Sequence, residues 1–260
     1  MYGLITHPLV PLRAGNSERS EMISQLLFGE YVKILEKHEK WLYVENITDG
    51  YTGWADIKMI NPVTDSVFQK SRQQKTNRLL HPYNIIYNTK TNQSKLLPGG
   101  SVIHDLNGDE FSVDGEIWSL IEPDSFVCGK FVDVHRILET AKQYLNAPYL
   151  WGGKSVLGID CSGLVQVVYS IGGYMLPRDA SQQVVQGELV DFLSESMPGD
   201  LAFFGSEEGD ITHVGILIDN ASIIHASGWV KIENIDSQGI ISSKTGEYTH
   251  QLRVIKRIIL

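Results

Sequence analysis

The chain has 260 residues, 42 % of them hydrophobic and 20 % charged, the composition of an ordinary globular protein with room for one large domain or two to three small ones. Its 22 basic against 31 acidic residues give a net charge of −9, which argues against nucleic acid or an anionic membrane as main partner, since either is bound through a basic face. No stretch approaches the ~20 apolar residues of a membrane span, and Met1 to Arg13 lacks the basic start and apolar run of a signal peptide. The expected location is therefore cytoplasmic, or extracytoplasmic if a leader has been trimmed. A chain this long needs no disulfide between its two cysteines, Cys128 and Cys161. Cys128, at the end of an apolar run, is expected to be a buried, inert thiol.

Residues 1–60 carry short alternating runs such as Tyr31-Val32-Lys33-Ile34-Leu35 and Trp41-Leu42-Tyr43-Val44, which predict a small β-barrel. Residues 61–78 are polar and are expected to be a linker. Residues 79–132 repeat the first pattern. Leu97-Pro98-Gly99-Gly100-Ser101-Val102 answers Leu27-Phe28-Gly29-Glu30-Tyr31-Val32, and Trp118-Ser119-Leu120-Ile121 answers Trp41 to Val44, so a second copy of the barrel is expected there. From 133 the character changes. Apolar residues at 134, 137, 138, 141 and 145 have a helical period, Leu164 to Ile171 reads as a buried helix, and a third helix begins near Arg178. Strands then dominate, at Asp200 to Phe204, Val214 to Ile218 and Ser222 to His225. Helices followed by an antiparallel sheet predict an α+β domain over 133–260.

Asp160-Cys161-Ser162-Gly163 stands where a glycine-bearing loop enters the buried helix. A cysteine there sees the positive end of the helix dipole and free backbone N–H groups, both of which favour thiolate. The glycine after Ser162 is expected to let a substrate backbone approach. His213 and His225 follow in strand-like surroundings and complete a nucleophile, a base and an orienting group. A metal is the rival reading, because Cys161, His213, His225 and Asp200 are all ligand types. Their spacing puts no two ligands on one turn, so neither a structural zinc nor any cofactor is expected.

Six segments in order resemble the NlpC/P60 family of cell-wall cysteine peptidases: Pro148-Tyr149-x-Trp151-Gly152-Gly153, Asp160-Cys161-Ser162-Gly163, Leu176-Pro177-Arg178-Asp179, Pro198-Gly199-Asp200-Leu201-x-Phe203-Phe204, Thr212-His213-Val214-Gly215 and Ile224-His225-Ala226-Ser227. Residues 1–132 resemble two bacterial SH3-type domains. The resemblance implies a papain-like α+β catalytic domain behind two small all-β SH3-like barrels, and is nearest to the γ-D-glutamyl-L-diamino acid endopeptidases. It further implies hydrolysis of a murein peptide, L-Ala-γ-D-Glu-diamino acid with a free N-terminus, in wall-peptide recycling or turnover; a monomer is expected, though the sequence leaves the oligomeric state open.

By the same resemblance Cys161 is the nucleophile, His213 the base and His225 its orienting partner. Tyr149 donates to the oxyanion and Trp151 forms a pocket wall. Asp179, with Ser181 nearby, binds the substrate ammonium, the alternative for Asp179 being a helix cap. Arg178 pairs either with a substrate carboxylate or with a local acid. Asp160 and Ser162 line the cleft, Asp160 having a capping role as its alternative. The first barrel would lend Tyr51 and Glu30. Two other readings remain open, a non-catalytic wall-binding SH3-type protein and a papain-like amidase or acyltransferase. So does the diamino acid, meso-diaminopimelate or lysine.

Overall fold

The computed structural model describes residues 1–74, 76–122, 125–129, 133–206 and 208–259. It divides into two compact units, Met1–Gly129 and Lys130–Leu260. The expected boundary at 132/133 falls at residues 130–132, outside the described residues.

In the first unit, alternation along strands such as Leu9–Arg13 turns Val10 and Leu12 inward. Seven strands form one antiparallel sheet in the order Met22–Leu27, Leu9–Arg13, Thr52–Asp56, Trp41–Asn46, Tyr31–His38, Tyr2–Leu4 and Asn61–Val63. The sheet curls around Ile5, Leu26, Val32, Leu42, Val44 and Ala55. The linker is shorter than its polarity suggests. Asn61–Val63 pairs with Tyr2–Leu4, Asp65–Ser71 is a helix capped by Thr64, and Asn77–Leu79 is already a strand of the next sheet. Polar composition marks exposure, and edge strands and short surface helices are exposed as well.

Residues 77–128 build a four-stranded and a three-stranded sheet around Leu79, Ile86, Leu97, Phe111 and Trp118. Their backbone bonds repeat a turn of the first unit, but with Gly100 in the place of Gly29, one residue on from the register read in the sequence, which set Gly99 there. Ile5 N–H donates to Glu30 O, Gly29 N–H to Ile5 O, and Phe28 N–H to Pro8 O. In the second copy Leu79 N–H donates to Ser101 O, Gly100 N–H to Leu79 O, and Gly99 N–H to Pro82 O. Gly29 and Gly100 hold φ of 80° and 82° in these turns, a region open to glycine and costly for other residues. Cys128 ends the strand Phe126–Cys128 and is exposed, contrary to the expected buried thiol: a strand of three residues has too little packed face to cover it.

The second unit opens with the helix Val134–Lys142, capped by Asp133 through the His135 N–H. It stops three residues short of the predicted end, and Asn146 turns the chain at φ 70°. The helix Cys161–Ile171 is buried at every residue and packs on the strands Ile211–Leu217 and Ser222–Ser227. The sheet runs Glu188–Val190, Tyr248–Arg257, Leu201–Gly205, Ile211–Leu217, Ser222–Ser227, Trp229–Ile235 and Gly239–Ile241. Tyr248–Arg257 also pairs with Gly239–Ile241, so the sheet closes on itself. Arg257 bonds both oxygens of Asp200, at 2.9 and 2.8 Å. Asp200 is thereby a brace between two strands, remote from ligand duty.

Gly29 offers a test of the turn geometry. A Cβ there would lie 1.8 Å from Val102 O, whereas at Gly50, also at positive φ, it would meet nothing within 4 Å. Gly50→Ala is expected to cost about 1–2 kcal/mol of left-handed strain. Gly29→Ala is expected to cost clearly more, because the clash adds to the strain. Denaturant unfolding of both variants measures the difference, and equal losses would refute it.

Candidate active site

Asp160 closes the loop before the buried helix and organises everything beside the nucleophile. Its Oδ1 accepts from Gly163 N–H at 2.7 Å, capping the helix, and its Oδ2 accepts from Gly152 N–H at 2.8 Å. Arg178, 1 % exposed, grips the same carboxylate with both arms, at 3.0 Å to Oδ1 and 2.6 Å to Oδ2, and donates to Ser162 Oγ at 2.8 Å. The acid partner of Arg178 is thus the local one, and Asp160 and Ser162 are drawn into the same buried knot, with Asp160 in its capping role. Gln183 adds a bond to Ser162 O at 3.1 Å. Gly163 is required for a different approach from the one expected. A Cβ there would lie 2.3 Å from Gly153 O, so the chain's own glycine loop is what comes close.

Cys161 occupies the first turn of this helix and is buried. Burial, with the charge of Asp160, pushes its thiol up to about 11, against the N–H groups of Val214 and Ser162 and the charge of Arg178. The expected stabilisation of thiolate by the helix dipole is therefore outweighed: a dipole contributes at most ~2 kcal/mol, less than the loss of hydration in a closed site. The thiol is protonated at neutral pH and needs a base.

The base stands on the adjoining strand. His213 Nε2 lies 2.9 Å from His225 Nδ1, and His225 Nε2 lies 3.0 Å from Glu233 Oε2. Glu233 is buried, which raises its carboxyl, yet bonds from Ser243, Lys231 and His225 outweigh that and hold it below the ordinary value. Burial lowers His225 to about 4 and places His213 well below the ordinary imidazole value. The tautomers follow. An ionised Glu233 only accepts, so His225 carries its proton on Nε2 and accepts at Nδ1. His213 must then donate from Nε2, which leaves Nδ1 as a bare lone pair. Val214, the next residue, donates its N–H to the Cys161 sulfur, which brings this end of the strand to the thiol. Gly215 makes the pairing possible, since a Cβ there would lie 2.9 Å from His225 Cβ.

Tyr149 is half-buried and its hydroxyl is pushed up to about 12, by burial and then by the negative charges of Cys161 and Asp160. It remains a donor at every physiological pH. Asp179 is also half-buried and forms a capping box with Gln182 at the start of the short helix Ala180–Gln183. Ser181 is exposed on that helix, and Trp151, 59 % exposed, stands on the glycine loop. Tyr51 and Glu30 belong to the first unit. Tyr51 packs against its core. Glu30 is buried there, its Oε2 accepting from Leu27 N–H at 2.8 Å and the Asn46 amide at 3.1 Å in the turn at residues 27–30.

Sequence reasoning missed two residues. Glu233 shares strand parity with buried Ile235 on Trp229–Ile235, and an acid on an inward face was the available signal. His250 stacks on His213 at 4.1 Å; strand pairing brings it there and nothing in its local sequence marks it.

Residues 146–249 match the model of the NlpC/P60 family, and residues 12–59 that of the bacterial dipeptidyl-peptidase SH3 domain. The chain is 28 % identical to dipeptidyl-peptidase 6 of Lysinibacillus sphaericus over 92 % of this chain and 93 % of that protein. It is 41 % identical to the γ-D-glutamyl-L-lysine dipeptidyl-peptidase of Bacillus subtilis over 35 % of this chain, a stretch that spans 31 % of the relative. Among solved structures, an NlpC/P60 family protein from Bacillus cereus aligns over 100 % of both chains with a TM-score of 0.87 at 19 % identity, a likeness of fold.

The state of the thiol is measurable. With Cys161 raised to about 11, its alkylation by iodoacetamide is expected to climb close to tenfold per pH unit from about pH 6 to about pH 9. A rate already level between about pH 6 and 7 would mean a preformed thiolate and refute the neutral pair.

Proposed function

We propose, for a chain that carries an NlpC/P60 peptidase domain and a bacterial dipeptidyl-peptidase SH3 domain, that it hydrolyses the γ-D-glutamyl–diamino acid bond of L-Ala-γ-D-Glu-diamino acid peptides in the recycling or turnover of wall fragments. We further propose that residues 77–128 form a second SH3-like barrel, on the strength of the repeated turn bonds. The observation that carries the catalytic reading is the hydrogen-bonded line from Glu233 through His225 to His213, beside a cysteine at a helix start. The names of the relatives specify a dipeptide unit and a γ-D-glutamyl bond, and the proposal brings that chemistry to this site.

In this mechanism the Cys161 thiol gives its proton to His213 Nδ1 as sulfur attacks the γ-carbonyl. The oxyanion takes a hydrogen bond from Tyr149 and from the Cys161 N–H, and one such donor is worth about 3 kcal/mol of barrier. The His213 imidazolium, steadied by His225 and the charge of Glu233, then protonates the departing amine. Water, deprotonated by the same imidazole, hydrolyses the thioester. Asp179 receives the ammonium of L-Ala, with Ser181 beside it, and Trp151 walls the entrance.

Synthetic L-Ala-γ-D-Glu-meso-diaminopimelate, its lysine analogue and the N-acetylated form test this. The free-amine peptides are expected to be cut, and Cys161→Ala to lose at least about a thousandfold in kcat. Asp179→Asn is expected to lower kcat/KM about a hundredfold for the free-amine peptide. Equal cleavage of the acetylated form would sink the role of Asp179. Cleavage of neither form would sink the peptidase reading.

Glu233→Gln separates relay from scaffold. Without a fixed acceptor, His225 and His213 can exchange tautomers, so kcat is expected to fall tenfold or more with KM nearly unchanged, by analogy with other triads whose orienting acid is neutralised. An unchanged kcat would show that Glu233 only braces Ser243.

A further inference from the structure

One imidazole beside the relay has no part in the chemistry above. His250 lies on Tyr248–Arg257 opposite Ile240, stacked on His213 at 4.1 Å and 28° and edge-on to His225 at 5.7 Å and 83°. One ring nitrogen from each of the three histidines lies within 4.8 Å of the others. We propose that His213, His225 and His250 form a site for a single divalent transition-metal ion of the zinc type, and that its occupation switches the peptidase off.

Occupation requires the rings to turn and draw together, since the three nitrogens lie within 4.8 Å of one another and the stacked rings of His213 and His250 cannot both hold one ion in their planes as they stand. Nitrogens around a tetrahedral zinc stand about 3.3 Å apart, from bonds of about 2.0–2.1 Å, and His213 Nε2 and His225 Nδ1 are already at 2.9 Å. The surroundings are those of a metal site. His225 keeps its Nε2 proton on the Glu233 carboxylate at 3.0 Å, which orients Nδ1 toward the ion and strengthens it as a donor. Imidazole binds a metal through the lone pair of its neutral form. Imidazole donors suit zinc, copper and nickel and leave calcium and magnesium unbound. Lys231 opposes a cation here, but its ammonium is 3.2 Å from Glu233 Oε2, so the carboxylate offsets it.

The consequence for catalysis follows from proton counting. A neutral imidazole has one N–H. With the ion on His213 Nε2, that proton is displaced and the ring carries it on Nδ1 instead, with no net release. The lone pair that would take the Cys161 proton is then gone. This consequence rests on the role proposed for His213; binding of the ion does not.

The experiment uses the full chain with Cys161→Ala, which removes the only thiol of the site. Cobalt(II) chloride is expected to bind at one equivalent per chain with visible ligand-field bands, and zinc chloride to displace it. Adding Glu233→Gln is expected to weaken cobalt binding by about tenfold or more, and adding His250→Phe, which keeps a stacked ring without a donor, by more than that. His250→Gln serves if the Phe variant loses its far-UV circular dichroism. Absence of the bands, or bands unchanged by either His250 variant, would overturn the site. In the wild type, zinc is expected to inhibit peptide hydrolysis reversibly with EDTA, and less so in His250→Phe; a sulfur-to-cobalt charge-transfer band that is present in the wild type and absent from Cys161→Ala would instead make Cys161 the ligand and overturn the proposal. A metal-free wild type that cuts no peptide would refute the proposed function, while the cobalt titration would still decide the metal site.

Discussion

The buried carboxylate of Asp160 is the interaction on which the catalytic unit depends. It receives two backbone N–H groups and both arms of Arg178, which satisfies the lone pairs of a buried carboxylate. Breaking such a pair by removing one partner costs about 3–5 kcal/mol, because the other charge is left buried and alone. Here the loss would spread. The glycine loop, the first turn of the helix, Ser162 and the segment before Ala180–Gln183 all converge on that one side chain. Residues distant in sequence are thereby held within the tolerance that positioning of a nucleophile demands.

That same charge sets the electrostatics of the thiol. Asp160 and burial raise Cys161, while Arg178 and two N–H groups pull the other way without prevailing. On the facing strand, burial keeps His213 and His225 neutral. The site therefore rests as a thiol and a neutral imidazole, and charge arises only when a proton moves. Glu233 supplies the fixed negative end toward which the resulting imidazolium is stabilised. Its own charge is secured by Ser243 and Lys231, so the direction of proton transfer is built into the sheet.

The first unit shows how a repeated local solution survives sequence divergence. The bonds made by Gly29 and Glu30 recur at Gly100 and Ser101, although a buried acid in one copy is a buried serine in the other. Backbone geometry at a left-handed turn constrains the glycine strongly and its neighbour weakly. In the first copy Glu30 uses its side chain to satisfy Leu27 and Asn46.

Much of this was legible locally. Period and alternation are properties of a few consecutive residues, so the buried helix after Cys161, the strands around His213 and His225 and the first barrel could be read from the chain alone. The six short segments likewise pointed to the family, because each binds its meaning to adjacent residues. The tertiary structure decided what depends on distant partners. Arg178 might have faced a substrate or an acid until the fold put Asp160, 18 residues earlier, within 2.6 Å. The helix dipole at Cys161 was visible in sequence, but the burial that outweighs it is a sum over the whole domain. Glu233 and His250 reach His225 and His213 only through strand pairing and closure of the sheet. Sequence records which groups a chain carries and their local rhythm; only packing fixes which of them meet and how much water is left between them.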